Sequence, residues 1–112
     1  RVTRVWAAVD CGRVINPDTV VAQIESGIIY GLSAALFGRI DFDKGAVAQT
    51  NFHAYPLVTM ADCPDIETRI IASTADPGGI GEPGTPPIAP AVANALFAAT
   101  GKRWRNLPFF TA

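Results

Sequence analysis

Glu82 is the residue with the clearest setting for chemistry. It stands in Asp76-Pro-Gly-Gly-Ile-Gly-Glu-Pro-Gly-Thr-Pro-Pro87, where glycines permit tight turns and prolines stiffen them. A carboxylate placed rigidly meets the first demand on a general base, and a dry pocket that raises its pKa would meet the second. On residue types alone, an ordinary surface glutamate in a Gly/Pro connection is the simpler reading. Gly79-Ile-Gly81-Glu-Pro-Gly84 also satisfies G-x-G-x-x-G between a strand pattern and a helix pattern, the outline of a dinucleotide site. Its chemistry argues against that use. Glu82 and Pro83 replace the free amides and neutral surroundings a pyrophosphate needs. Pro86-Pro87 hold the helix start several residues past the third glycine, and Lys102-Arg103 stand where the fingerprint wants an acid.

A second group lies on one helical face. Gln23, Gly27, Gly31 and Ala34 form a strip of small residues plus one amide beside a Leu/Ile face. Such a strip admits close approach by another backbone or by a ligand, and Gln23 would be the polar contact. Glu25 falls within the apolar arc, where an unpaired carboxylate is costly to bury, so a rim position or backbone amides should receive it. The remaining candidates read plainly. Cys11 and Cys63 are 52 residues apart with no CxxC and no ligand-spaced histidine, which predicts two buried thiols and no metal site. His53, the single histidine, reads as a surface or hydrogen-bonded residue. Trp6, Phe97 and Trp104 read as core or interface aromatics. Lys102-Arg103-Trp-Arg105 reads as a solvated helix end.

The elements that must position these residues follow from pattern. Val2–Val9 is strand-like, and Asp10-Cys-Gly12 turns it. Asn16-Pro17-Asp18 carries helix-start signals. Val20, Ile24, Ile28, Leu32 and Leu36 recur every four residues, which predicts a helix over 18–37 ended by Gly38. Arg39–Phe42, the turn Asp43-Lys44-Gly45 and Ala46–Tyr55 suggest a hairpin, and Ile66–Ser73 a further strand. Ile88–Thr100 is an Ala-rich helix with Pro90 in its first turn and Gly101 as its stop. The expected fold is α+β and two-layered, a single domain over 1–112 with about two main helices packed on a small mixed or antiparallel sheet.

Composition sets outer limits. The 112 residues are 49% apolar and 17% charged, with 9 Lys+Arg against 10 Asp+Glu and a net charge of −1. Near-neutrality argues against nucleic-acid or anionic-membrane binding driven by counterion release, and sparse charge argues against disorder. The longest apolar run, Ile28–Phe37, is shorter than the roughly 18 residues of a membrane span. The first residues, Arg1-Val-Thr-Arg-Val-Trp6, show no leader pattern. Their immediate strand pattern, without an initiator Met, reads as a piece of something longer, and compartment is left open.

Val9-Asp-Cys-Gly-Arg-Val-Ile-Asn-Pro-Asp18, Gln23-Ile-Glu-Ser-Gly27, Asn51-Phe52 and Gly79-Ile-Gly-Glu-Pro-Gly-Thr-Pro-Pro-Ile-Ala-Pro-Ala-Val-Ala-Asn-Ala-Leu-Phe97 together resemble the C-terminal end of the molybdenum-binding large subunit of the xanthine oxidase/aldehyde oxidase family. The likeness is greatest to the isoquinoline 1-oxidoreductase β-subunit and aldehyde dehydrogenase branch. It covers essentially the whole chain, and the chain would be a small part of such a subunit. The resemblance implies hydroxylation of an aldehyde or an electron-poor N-heterocyclic carbon with oxygen from water. Glu82 matches the family glutamate that takes the proton, Gln23 matches the glutamine that hydrogen-bonds the pterin, and Gly81 lies at the cofactor beside Glu82.

The implied cofactors are molybdopterin cytosine dinucleotide with molybdenum in the complete subunit and [2Fe–2S] clusters on a partner. The implied partners are the remainder of the molybdenum subunit, a small [2Fe–2S] subunit and, in some relatives, a cytochrome. The isolated chain would carry the base yet be inactive and free of molybdenum. Two other function classes stand beside this one: a non-catalytic interaction or assembly module of the larger subunit, and, with least support, a dinucleotide-binding domain.

Overall fold

A computed structural model describes residues 1–110. Its elements are β1 (Arg4–Val9), α1 (Pro17–Phe37), β2 (Phe42–Asp43), β3 (Ala46–Val47), a 3-10 turn at Phe52–Ala54, β4 (Asp65–Ile70) and α2 (Ile88–Thr100). Asn16 begins α1 by accepting the Thr19 N–H at 3.2 Å, and Pro17 needs no donor at the first helical position. The four-residue stripe is the core: Val20, Ile24, Ile28, Leu32 and Leu36 are all buried, Leu32 completely. Ile88 and Val92 of α2 close onto that stripe, and Gly101 ends α2 in the left-handed region at φ 69°.

The two-layer α+β expectation matches this architecture, with two helices against small sheets. The mixed character comes from two separate pairs. β1 and β4 are parallel, in register from Arg4 opposite Asp65 to Val9 opposite Ile70. β2 and β3 form an antiparallel hairpin that turns on Lys44 (φ 49°) and Gly45 (φ 84°). Boundaries differ from the pattern-based ones. The second hairpin arm stops at Val47, because Gln49 turns its side chain onto Asp41 and Asn51 accepts the Phe52 N–H. β4 ends at Ile70, three residues before the expected Ser73.

α1 has 21 residues and is long and apolar enough to cross a bilayer by length and composition, which the count of uninterrupted apolar residues did not anticipate. Here it serves as the core helix. Past α2 the chain returns to α1, where Phe109 and Phe110 N–H groups donate to the Ala35 and Leu36 carbonyls at 2.8 and 3.1 Å. These are carbonyls a helix end would otherwise leave unpaired. The radius of gyration is 16.4 Å, against about 13 Å for a compact domain of this length. Large apolar side chains stay in water accordingly, among them Met60 (93% exposed), Phe52 (79%) and Trp6 (68%).

Candidate functional site

The Glu82 loop is fastened at both ends by backbone contacts. At its start the Arg13 N–H donates to the Ala75 carbonyl at 3.0 Å, and the Gly78 N–H donates to the Cys11 carbonyl at 2.9 Å. Gly12 makes this approach possible. It has φ 74°, and a Cβ there would run into the Asp76 carbonyl. Asp10 Oδ1 accepts the Gly12 N–H at 3.0 Å and holds the turn. The Asp10-Cys-Gly12 turn is therefore a clamp for the loop as well as the end of a strand.

At its far end the loop lies on α1. A Cβ on Gly84 would stand 2.6 Å from the Ile24 carbonyl oxygen, and one on Gly27 would stand 3.2 Å from the Gly84 Cα. Only paired glycines let two backbones come this close. Thr85 Oγ1 donates to the Gly27 carbonyl at 3.1 Å, and the Thr85 N–H donates to the Glu82 carbonyl at 2.9 Å. The turn carrying Glu82 is thus pinned to α1 at Gly27, one helical turn from Gln23. Gly31 continues the contact, with room for no side chain against Ile88 and Thr85.

The small-residue strip therefore divides. Gly27 and Gly31 are buried under the loop, whereas Gln23 and Ala34 are exposed. Glu82 and Gly81 are exposed too, and Glu82 has no ion-pair partner among the described residues. No dry pocket encloses Glu82 among the described residues. A Cβ on Gly79 or Gly81 would meet nothing within 4 Å, so that side of the loop is open to close approach. The exposed amide of Gln23, the exposed carboxylate of Glu82 and this open glycine backbone are polar groups of the kind a pterin-bound metal cofactor uses.

Sequence reasoning overlooked Thr85 and the role of Gly84 and Gly12 as contact points. The signal was present in a glycine of each segment opposite a glycine or carbonyl of another, but pairing them requires the fold. Glu25 is half-buried at the rim of a groove shared with Tyr30, Tyr55 and Leu57, as its place in the apolar arc suggested. Cys11 is buried, but Cys63 is only half-buried, contrary to the expectation of two buried thiols; both are free. His53 is exposed in the 3-10 turn. Trp6 and Trp104 are not core residues: they lie 68% and 41% exposed, with Arg4 and Lys102 over their rings. Arg103 covers the ring of Phe97 at 3.6 Å.

Residues 1–64 match the family described as the molybdopterin cofactor-binding domain. The match falls on the N-terminal part of this chain, and the Gly79–Phe97 signature lies beyond it. The chain is 45% identical over 107 residues to isoquinoline 1-oxidoreductase subunit beta of Brevundimonas diminuta, covering 96% of this chain and 14% of that protein. It is 39% identical to a membrane-bound aldehyde dehydrogenase (pyrroloquinoline-quinone) of Gluconacetobacter polyoxogenes, over 89% of this chain and 13% of that protein. Its fold superposes on quinoline 2-oxidoreductase from Pseudomonas putida 86 with a TM-score of 0.78 and 31% identity, over 96% of this chain and 15% of that one. The chain thus spans about a seventh of the length of these relatives. By the match over more than half of its residues, the chain belongs to the family of molybdopterin cofactor-binding domains, in keeping with its resemblance to the xanthine oxidase/aldehyde oxidase family.

Proposed function

We propose that this chain forms one wall of the active site of a molybdenum hydroxylase that oxidises aldehydes or N-heteroaromatic compounds with oxygen from water. The observation that carries the reading is the anchoring of the loop that bears the exposed Glu82 carboxylate onto Gly27 of α1, through Thr85 and Gly84, at a point one helical turn from the exposed Gln23. When bound, the cofactor supplies the redox metal that hydride removal from carbon requires and that no side chain replaces. Glu82 is the general base: it accepts the proton from the attacking oxygen and so makes that oxygen the stronger nucleophile. Gln23 hydrogen-bonds the pterin through its side-chain amide, and Gly81 leaves the backbone bare enough for close approach.

The relatives named for isoquinoline, quinoline and aldehydes support this substrate range. In the complete subunit the cofactor would be molybdopterin cytosine dinucleotide, and [2Fe–2S] clusters on a small partner subunit, with a cytochrome in some assemblies, would supply the route for electrons. Other parts of the longer subunit exclude water around Glu82. Replacing Glu82 by Gln in the complete subunit tests the assignment. Turnover should fall by on the order of 100-fold or more, as expected for loss of a general base, with molybdenum content near normal by elemental analysis. Retained turnover would return Glu82 to the role of a surface residue.

A second reading, an assembly module without catalytic residues, is favoured by the exposed apolar side chains and the extended shape. The same substitution separates the two, because an assembly module keeps its turnover in the Glu82→Gln subunit.

A further inference from the structure

We infer that the free edge of β1 receives an extended strand from the rest of the longer subunit, laid beside Arg4–Val9 and over the small-residue face of α2. The ladder to β4 determines which groups are free. Asp65 N–H donates to the Thr3 carbonyl at 3.0 Å, and Ile71 N–H donates to the Val9 carbonyl at 2.8 Å. In a parallel ladder, alternate residues turn both main-chain groups to the same side. The odd-numbered residues of β1 are therefore spent on β4, and the N–H and C=O groups of Arg4, Trp6 and Ala8 face the other edge. No strand pairs there among the described residues.

The space beside that edge has the shape of a strand bed. Two continuous grooves, of about 590 and 290 Å³, are lined by every residue from Arg1 to Val9 and, across from them, by Ala91, Ala95 and Ala99 of α2. α1 packs on β4 and on α2, whereas α2 is held away from β1, which opens the gap. A floor of alanines accepts large apolar side chains from above. The row of unpaired N–H and C=O groups calls for an extended backbone and not for a helix. Two-stranded parallel pairs seldom stand alone, since parallel sheets are built from several strands. The missing neighbour has a source, because the chain spans 14% of the isoquinoline relative's length. The inference rests on the chain being part of a longer subunit and is independent of the role of Glu82.

Amide hydrogen exchange on this chain and on the complete subunit tests it. The Arg4, Trp6 and Ala8 amides should exchange on the order of 100-fold more slowly in the complete subunit, while Val5, Ala7 and Val9 are protected in both. Ala8→Pro removes one free-edge donor and leaves the β4 ladder intact, a place where proline is tolerated. It should leave the circular dichroism of this chain unchanged and reduce the yield of assembled subunit at least tenfold. Ala7→Pro breaks the ladder and should damage both. Equal exchange at Ala8 in the two forms would overturn the inference, as would normal assembly of the Ala8→Pro subunit. Protection of Arg4, Trp6 and Ala8 in a dimer of this chain would assign the edge to a second copy and overturn it too. If the Ala8→Pro chain does not fold, the exchange comparison on the unaltered protein decides. Glu82→Gln subunit should assemble with Ala8 protected, so failure of the base assignment leaves a separate signature.

Discussion

The contact between Gly84 and α1 is the most exacting part of the site, and Gly84→Ala is its direct test. The added Cβ would stand 2.6 Å from the Ile24 carbonyl oxygen and 3.2 Å from the Ile28 nitrogen, where ordinary contact begins at 3.4 Å. The loop must therefore retreat by about 0.8 Å, because the opposing atoms are helix backbone and not a mobile side-chain end. Overpacking of this kind costs about 1–3 kcal/mol, and replacing glycine in a loop returns about 0.4–1 kcal/mol through the unfolded chain. The net loss should be about 1–2 kcal/mol. It is measured by urea denaturation of this chain followed by circular dichroism, with a lower midpoint at unchanged slope. In the complete subunit the same retreat moves Glu82 by a distance that costs a catalytic group about 10–100-fold in rate. A Gly84→Ala chain as stable as the original, or more so, would show that the loop is not held by this approach, and the account of how Glu82 is positioned would fall with it.

Two further outcomes test the scaffold. Asn16→Ala removes the acceptor for the Thr19 N–H and should destabilise the chain by about 1 kcal/mol in the same urea experiment, against a few tenths for Asn16→Gly. Asp41 accepts from Arg39 Nε at 2.8 Å and from Gln49 Nε2 at 3.0 Å, and the Arg39 hydrogen bond, with help from Gln49, holds its carboxyl below the ordinary aspartate value. A depressed folded-state pKa contributes stability that is present above the unfolded value and is lost as pH falls through the folded one. Titration of the Asp41 carboxyl by NMR should place its midpoint below that of an unperturbed aspartate, and Arg39→Ala should raise it. The pair is exposed, so added salt should weaken the effect; an Asp41 midpoint unaltered by Arg39→Ala would contradict the assignment of cause.

Much of the fold was legible because it rests on short-range signals. The four-residue stripe from Val20 to Leu36 could only be buried as a helix, Asn16-Pro17 had one sensible use, and Gly101 had to end α2. The hairpin arm beyond Val47 was misread because its alternation was loose, and side-chain hydrogen bonds from Gln49 and Asn51 displaced strand pairing there. For Trp6, residue type left core and interface both open, and exposure removes the core alternative: Trp6 lies on the even-numbered face of β1, with Arg4 and Ala8, which this chain leaves uncovered.

Residue types and order alone determined that Glu82 sits in a stiff loop, that Gln23 and the glycines share a helical face, and that the chain has the motifs of a molybdenum-binding subunit. These are properties of neighbouring residues, and spacing along a chain encodes them. Which segments meet was decided only by tertiary structure. Gly27 faces Gly84 across 57 residues and Gly12 faces Asp76 across 64, and no local pattern specifies such contacts, because they follow from how β1 and β4 pair and where that pairing leaves each loop. The same pairing decides which edge of β1 is open: alternation along the strand shows two faces, but only the partner's side reveals which main-chain groups remain unpaired.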